Sequence, residues 1–210
     1  SQSENEKIII NNNLRKIISK RKIWCASSTH DNEEIFCGLV HKKLKNKHKK
    51  LLTIIIPRHT NRVYKIIKQL NKLGLKTCTY QSNERINEDT DVFIVDTYGM
   101  TKSFYYFCNN VFLGGSIINH GGQNPLEATR YGCNILHGPN ISNFKEIYDF
   151  LKKNKISQKI STEKDMINSL NKLFSKKSKS KEIQKKFSLI GKKILENTYK
   201  EVKLILKNEI

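Results

Sequence analysis

Residues 111–144, VFLGGSIINHGGQNPLEATRYGCNILHGPNISNF, hold the densest set of side chains and turns suited to binding chemistry. After the apolar run Val111-Phe112-Leu113, the pair Gly114-Gly115 lets backbone amides turn into a concave anion site, with the Ser116 hydroxyl as a further donor. The same glycines also suit a tight strand exit that holds no ligand. A second pair, Gly121-Gly122, leads into Gln123-Asn124-Pro125-Leu126-Glu127. Asn124 has the chemistry of an N-cap, Pro125 fits a first helical position, and Glu127 falls where a capping box places its acid. A helix opening there offers free amides and a positive dipole end to a phosphate. A carboxylate one turn inside can also accept two hydrogen bonds from a ribose 2′,3′-diol. Capping and ribose binding are compatible, because they use different carboxylate oxygens.

Two earlier turns carry comparable chemistry. The strand at 23–26 leads through Ser27-Ser28-Thr29-His30 into Asp31-Asn32-Glu33-Glu34 and a helix. Thr29 with Asn32, or Ser28 with Asp31, would cap that helix, and acids in its first turn favour the dipole. Capping gives no reason for His30. The continuous apolar run 51–56 reads as a strand covered on both faces and ends in Pro57-Arg58-His59. An arginine beside a histidine at a strand's carboxyl end suits a phosphate or carboxylate; a solvated basic turn is the plain alternative.

Strands and helices alternate around these turns. The periodicity predicts a segment at 7–10, helix 14–19, strand 23–26, helix 33–44, strand 51–56, helix 61–73 and strands 76–80 and 92–96. Helix 100–107 precedes the glycine region. Helix 143–153, a short strand near 158–160 and helices 163–174 and 181–207 follow it. The order implies an α/β fold, a Rossmann-like parallel sheet with helices on both faces, whose ligand sites gather at the carboxyl ends of the strands. Residues 81–90 read as a polar loop and 175–181 as a charged Lys/Ser link.

With 210 residues, the chain is long enough to bury one α/β core. No run of about eighteen apolar residues and no signal segment is present, so an intracellular, soluble region is expected. Five cysteines, Cys25, Cys37, Cys78, Cys108 and Cys133, are scattered without a C-x-x-C pair, and the six histidines lack ligand spacing. A reducing compartment, no metal and no cofactor follow as expectations. Thirty-nine basic against 19 acidic residues give a net charge of +20. Basic stripes attract phosphate backbones, but Lys, Asn and Ile are abundant throughout, and an anionic lipid surface fits better than nucleic acid.

WCASSTHDNEE, IIIPRH, DTYG, VFLGGSIINHGGQNPLE and HGPNISNF occur in one order with ordinary loop spacing. Together they resemble the C-terminal half of the 3-deoxy-D-manno-octulosonate (Kdo) transferases, glycosyltransferases of the GT-B fold, over about residues 10–205. The resemblance implies a CMP-Kdo donor site. Pro57 and Arg58 would contact CMP, as would the loop Tyr98-Gly99-Met100 and Asn124, Pro125, Leu126 and Glu127, the last on the ribose. Gly114, Gly115 and Ser116 would lie beside the phosphate or sugar. Ser28, Thr29 and His30 would line the cleft where the Kdo carboxylate is recognised, with His59 and Asn143 nearby and Phe144 beside the pocket. Residues 1–20 would form a hinge-side segment, 21–162 the nucleotide-sugar domain, and 163–210 the helices completing it.

Two departures stand out. The family's aspartate-threonine-methionine-glycine-glutamate loop reads Asp96-Thr97-Tyr98-Gly99-Met100, leaving backbone atoms as the ligand contacts at Met100. Its glycine-glycine-histidine-asparagine reads Gly121-Gly122-Gln123-Asn124, where Gln123 donates but does not titrate. The family's acceptor site for a lipid A precursor, membrane anchor and catalytic glutamate belong to an N-terminal half. No catalytic residue is therefore expected in these 210 residues, which would bind donor and transfer nothing alone. The complete enzyme would work at the cytoplasmic face of a bacterial inner membrane. Two other readings of the motifs stay open: another GT-B or epimerase domain for a uridine sugar nucleotide, and a non-catalytic module for polyanions.

Overall fold

The computed structural model describes residue 10, residues 12–81 and residues 86–208. The expected segment at 7–10 lies outside these residues except for Ile10, as do four residues of the polar stretch 81–90. Seven strands alternate with eight helices: α1 (Asn12–Ser19), β1 (Lys22–Thr29), α2 (Glu33–Lys45), β2 (Leu51–Pro57), α3 (Val63–Lys72), β3 (Thr77–Thr79), β4 (Val92–Ile94), α4 (Thr101–Phe107), β5 (Asn110–Leu113), α5 (Leu126–Arg130), β6 (Asn134–His137), α6 (Lys145–Lys153), β7 (Ser157–Lys159), α7 (Glu163–Phe174) and α8 (Ser180–Asn208). All the strand pairs are parallel, in the order β3-β4-β2-β1-β5-β6-β7.

The alternation of side chains explains why both sheet faces are covered. Cys25, Ile54, Phe93, Val111 and Ile135 point into one core; Trp24, Ala26, Ile55, Ile94, Phe112 and Leu136 point into the other. Every residue of β2 is buried, which is what its unbroken apolar run requires. Two registers bring the chemistry together. β1 pairs with β2 on one side and with β5 on the other, so the turns after Thr29, Pro57 and Leu113 emerge side by side. Successive connections depart in opposite directions from β1, which makes the β1/β5 boundary the topological switch point of the sheet.

The expected helix over 61–73 begins instead as a 3-10 turn, Thr60–Arg62, followed by α3. The helix expected to open at Asn124 spans only Leu126–Arg130. Gly132, at φ +77°, ends that segment beside the start of α8; a Cβ there would lie 2.3 Å from the Ser180 carbonyl oxygen. The Ser180 hydroxyl donates to the Tyr131 carbonyl at 3.1 Å and fixes the contact. Among the described residues no helix is long and apolar enough to cross a membrane.

Candidate functional site

The loop after β1 is built around two fully buried glutamates. Glu33 Oε2 accepts from the amides of Gly115 at 2.7 Å and His30 at 2.9 Å, and Oε1 accepts from the amides of Ser116 at 3.1 Å and Ile117 at 3.0 Å. The concave amide site expected of Gly114-Gly115-Ser116 thus exists, but the anion that fills it is the chain's own carboxylate. The placement of a ligand phosphate on these amides is corrected accordingly: their donors are spent. The Ser116 hydroxyl is not a ligand donor either, since it donates to Leu113 O at 2.5 Å and accepts from the Gly138 amide at 2.8 Å. Gly114 is present for close packing, because a Cβ would stand 2.4 Å from the Ser28 carbonyl oxygen and 2.7 Å from Glu33 Oε2.

Glu34 is spent as well. Arg62 binds it through both guanidinium arms, Nη1 to Oε1 at 3.0 Å and Nη2 to Oε2 at 2.9 Å, and also reaches Asp31. Thr29, expected to line the cleft or cap α2, is fully buried and donates to Glu34 Oε1 at 2.8 Å. Neither expected cap of α2 forms: Asn32 sits there in the left-handed region with no side-chain bond. The acids that read as helix-capping chemistry hold the loop together instead. Of this loop, Ser28 at φ 54° and His30 stay half-buried, and no described residue bonds the Ser28 hydroxyl.

His30 is the centre of a cluster. Its ring lies 4.1 Å, centroid to centroid, from that of His120 and 6.2 Å from that of His59. Burial first, then the neighbouring His120, His59, Arg62 and Arg58, push its pKa down to about 4. Gln123 Nε2 lies 3.3 Å from His30 Nε2. With the carboxamide as donor, that ring nitrogen is bare and the imidazole neutral. Gly115 passes beneath, where a Cβ would meet His120 Cδ2 at 3.0 Å. Asn143 props this loop from behind, its Nδ2 donating to the His120 carbonyl at 3.2 Å. Sequence reasoning did not select His120 or Arg62; the first lies within the glycine-rich motif and the second just past IIIPRH, but only the β1/β5 and β1/β2 registers reveal what they face.

The remaining expected residues lie on the turns after β2 and β4 and at the start of α5. The Arg58 amide donates to Thr29 O at 3.0 Å, placing the residue at the junction of β1 and β2. Its guanidinium is exposed and forms no hydrogen bond or ion pair among the described residues. Tyr98 is 68% exposed; its hydroxyl accepts from the Thr60 amide at 3.5 Å, and these contacts, with Arg58 nearby, lower its pKa. Gly99 turns at φ +79°, and the Met100 side chain is buried in the core. Asn124 Oδ1 accepts from the Leu126 amide at 3.0 Å, a cap-like bond, while no capping-box bond from Glu127 forms. Pro125 is buried and Leu126 half-buried. The half-buried Glu127 carboxylate has no hydrogen bond or ion pair among the described residues; its charge falls on the buried Tyr105 phenol, whose pKa burial raises. Phe144 packs against the core.

This chain is similar to the 3-deoxy-D-manno-octulosonic acid transferase of Haemophilus influenzae, 34% identical over 145 residues covering 66% of this chain and 34% of that protein. It is similar to the enzyme of the same name from Aquifex aeolicus, 28% identical over 172 residues, 82% of this chain and 47% of that one. The chain thus spans less than half the length of these relatives. Among solved structures it shares its fold with the C-terminal CMP-Kdo binding domain of WaaA from Acinetobacter baumannii, at TM-score 0.77 and 21% identity over 84% of this chain and 92% of that domain. No protein-family model matches the chain. The kinship read from the five motifs, to the C-terminal half of Kdo transferases, and the GT-B type of parallel sheet are therefore shown.

Proposed function

We propose that this C-terminal domain of the Kdo transferase kind holds CMP-Kdo for transfer of Kdo to a lipid A precursor in lipopolysaccharide core biosynthesis, at the cytoplasmic face of an inner membrane. The observation that carries this reading is a pair of complementary groups left without partners at the carboxyl end of the sheet: the Arg58 guanidinium and the half-buried Glu127 carboxylate. Carboxylates taken out of water acquire donors within the fold, as the fully buried Glu33 and Glu34 do here. Glu127 is free to accept a ribose diol, and Arg58 to meet the nucleotide's negative charge.

In this reading Pro57 and Arg58 take one side of CMP, Tyr98, Gly99 and the backbone of Met100 another, and Asn124, Pro125, Leu126 and Glu127 the ribose end. The acceptor hydroxyl oxygen forms a bond to the anomeric carbon of Kdo while the bond from that carbon to the CMP phosphate oxygen breaks, inverting the centre. The hydroxyl proton goes to a base, and CMP departs with the electron pair. The base and the acceptor belong to the N-terminal half of the full-length enzyme. This domain contributes donor orientation and stabilisation of the departing phosphate.

Calorimetric titration with CMP, UMP and AMP tests the reading. CMP is expected to bind selectively, and Arg58→Ala and Glu127→Ala each to weaken it by roughly tenfold or more. A preference for UMP would point to another GT-B sugar-nucleotide domain. Unaltered CMP affinity in both variants would remove these residues from the site. Loss of all nucleotide binding with salt-sensitive polyanion binding retained would favour the binding-module alternative.

A further inference from the structure

We propose that His30, His59 and His120, with Arg58, form a single receptor for one anionic group of the ligand, a phosphate ester or a carboxylate, and that the glycine-loop amides take no part in holding it. The proposal rests on the donor reading for the identity of the larger ligand, though not for the receptor itself.

The loop amides are excluded first. In a sheet of this type the turn at the switch point is the ordinary place for a phosphate. Here the amides of His30, Gly115, Ser116 and Ile117 all donate to Glu33, which is fully buried and has no room to leave. An anionic ligand at the turns after β1 and β5 must therefore be met by side chains.

The available side chains converge from separate elements. His30 comes from the loop after β1, Arg58 and His59 from the end of β2, and His120 from the loop after β5. The rings of His59 and His120 are exposed and have no hydrogen-bond partner among the described residues, and the Arg58 guanidinium is equally unengaged. The acids nearby are committed elsewhere: Asp31 to Lys65 and Arg62, Glu34 to Arg62 and Thr29, Glu33 to the amides. The cluster thus gathers cationic and proton-accepting groups with no counterion of its own. Crowding of this kind carries an electrostatic cost that a bound anion removes.

Proton linkage follows, and its sign is fixed. The groups facing His30 are Arg58 and His59 from β2, Arg62 from the turn before α3, His120 and Gln123 from the loop after β5, and Glu33 beneath its own amide. Alone, this set depresses the His30 pKa to about 4. An anion stabilises the imidazolium and raises that value, so binding takes up a proton and tightens as pH falls from about 7 toward 5. Gln123 serves both states, because rotating its carboxamide by a half-turn presents oxygen to a protonated His30 Nε2.

The test is a titration of this chain with sulfate, a phosphate-ester mimic that keeps its charge across the range, and in parallel with formate, read by the imidazole Cε1–Hε1 resonances. Single His30→Asn, His59→Asn and His120→Asn variants give the assignments. Sulfate or formate is expected to move the three signals together with one affinity, to raise the His30 pKa by about two units, and to bind roughly tenfold tighter near pH 5 than near pH 7.5. His120→Asn and Arg58→Ala are expected to weaken binding at least severalfold, and His48→Asn, at the other end of the sheet, to leave it unchanged. A response to sulfate alone assigns the receptor to the phosphate ester, and to formate alone to a sugar carboxylate.

Independent or absent responses of the three imidazoles overturn the proposal. So do shifts confined to the amides of Gly115, Ser116 and Ile117. Comparing CMP with uncharged cytidine separates the two readings. Equal affinity for both leaves the donor site standing and sinks a phosphate receptor. Anion binding at the three imidazoles without any nucleotide binding sinks the donor reading and leaves the receptor.

Discussion

At the residue scale, the most consequential group is Glu33. Four amides from two loops end on its two oxygens, which makes it the rivet between the turns after β1 and β5. Replacing it with glutamine sets an amide nitrogen against N–H donors and strands buried amides, at a cost of roughly 1–3 kcal/mol. Glu33→Ala empties the nest, and a nest of amides is an anion site in its own right. Added formate is therefore expected to raise the melting temperature of Glu33→Ala well beyond any effect on the wild type, by binding only the folded state. Calorimetric scans at fixed ionic strength, with chloride replaced by formate, measure it. Equal responses in the two proteins would show that Glu33 stabilises by packing and not as the nest's anion.

At the scale of elements, the sequence was most legible where periodicity governs. β2 and β5 are short continuous apolar runs between turn signals, and the structure places them in the sheet interior with every residue buried. α7 is capped by Thr162 with the capping box to Asp165 formed, and its span Glu163–Phe174 matches the expected bounds. Gly114-Gly115-Ser116 was legible as an amide nest but not as a filled one. The carboxylate that fills it lies 82 residues earlier than Gly115, and only the pairing of β1 with β5 brings them together. The same limit hid His120, whose partner His30 stands on the other side of that pairing. Glu33 and Glu34 read as first-turn acids because local rules see only the helix dipole.

A second cross-element network, at the opposite end of the sheet, links α2 to the central strands. His41 bonds Thr53 at 2.8 Å through Nδ1 and Asp91 at 3.3 Å through Nε2. Lys45 and the Lys76 amide also bond Asp91. Burial alone would raise the Asp91 pKa, but these hydrogen bonds hold it well below the usual carboxylate range. A depressed carboxylate contributes stability that is complete above its unfolded pKa of about 4 and is lost as pH falls below it. Asp91→Asn should therefore cost roughly 1–3 kcal/mol in urea unfolding near neutrality. The gap to wild type should close as the pH is taken below about 4. A gap that stayed constant with pH would mean that the Asp91 charge contributes nothing.

For the whole molecule the dominant fact is a charge of +20 distributed unevenly. Lys176, Lys177 and Lys179 border a depression of about 240 Å³ at the amino ends of β1, β5 and β6, with Arg21 and Lys22 on its other wall. That surface lies at the end of the sheet opposite the His30 cluster, so surface attraction and ligand binding are separable. Each lysine near an anionic bilayer contributes about 1 kcal/mol, and the attraction decays within a Debye length of about 10 Å at 0.1 M salt. Vesicles containing phosphatidylglycerol should sediment with the protein at low salt, and neutral phosphatidylcholine vesicles should not. Raising the salt to about 0.5 M should release it, because screening shortens the reach of exposed charges. Exchanging Lys176, Lys177 and Lys179 for glutamine should weaken vesicle binding while leaving CMP affinity unchanged, since none of them forms a hydrogen bond or ion pair with Arg58 or Glu127 among the described residues. If duplex DNA displaced the protein from vesicles at equal phosphate concentration, the charge would be indifferent to its polyanion. Lipid selectivity against that competitor would assign the basic face to association with an anionic membrane surface.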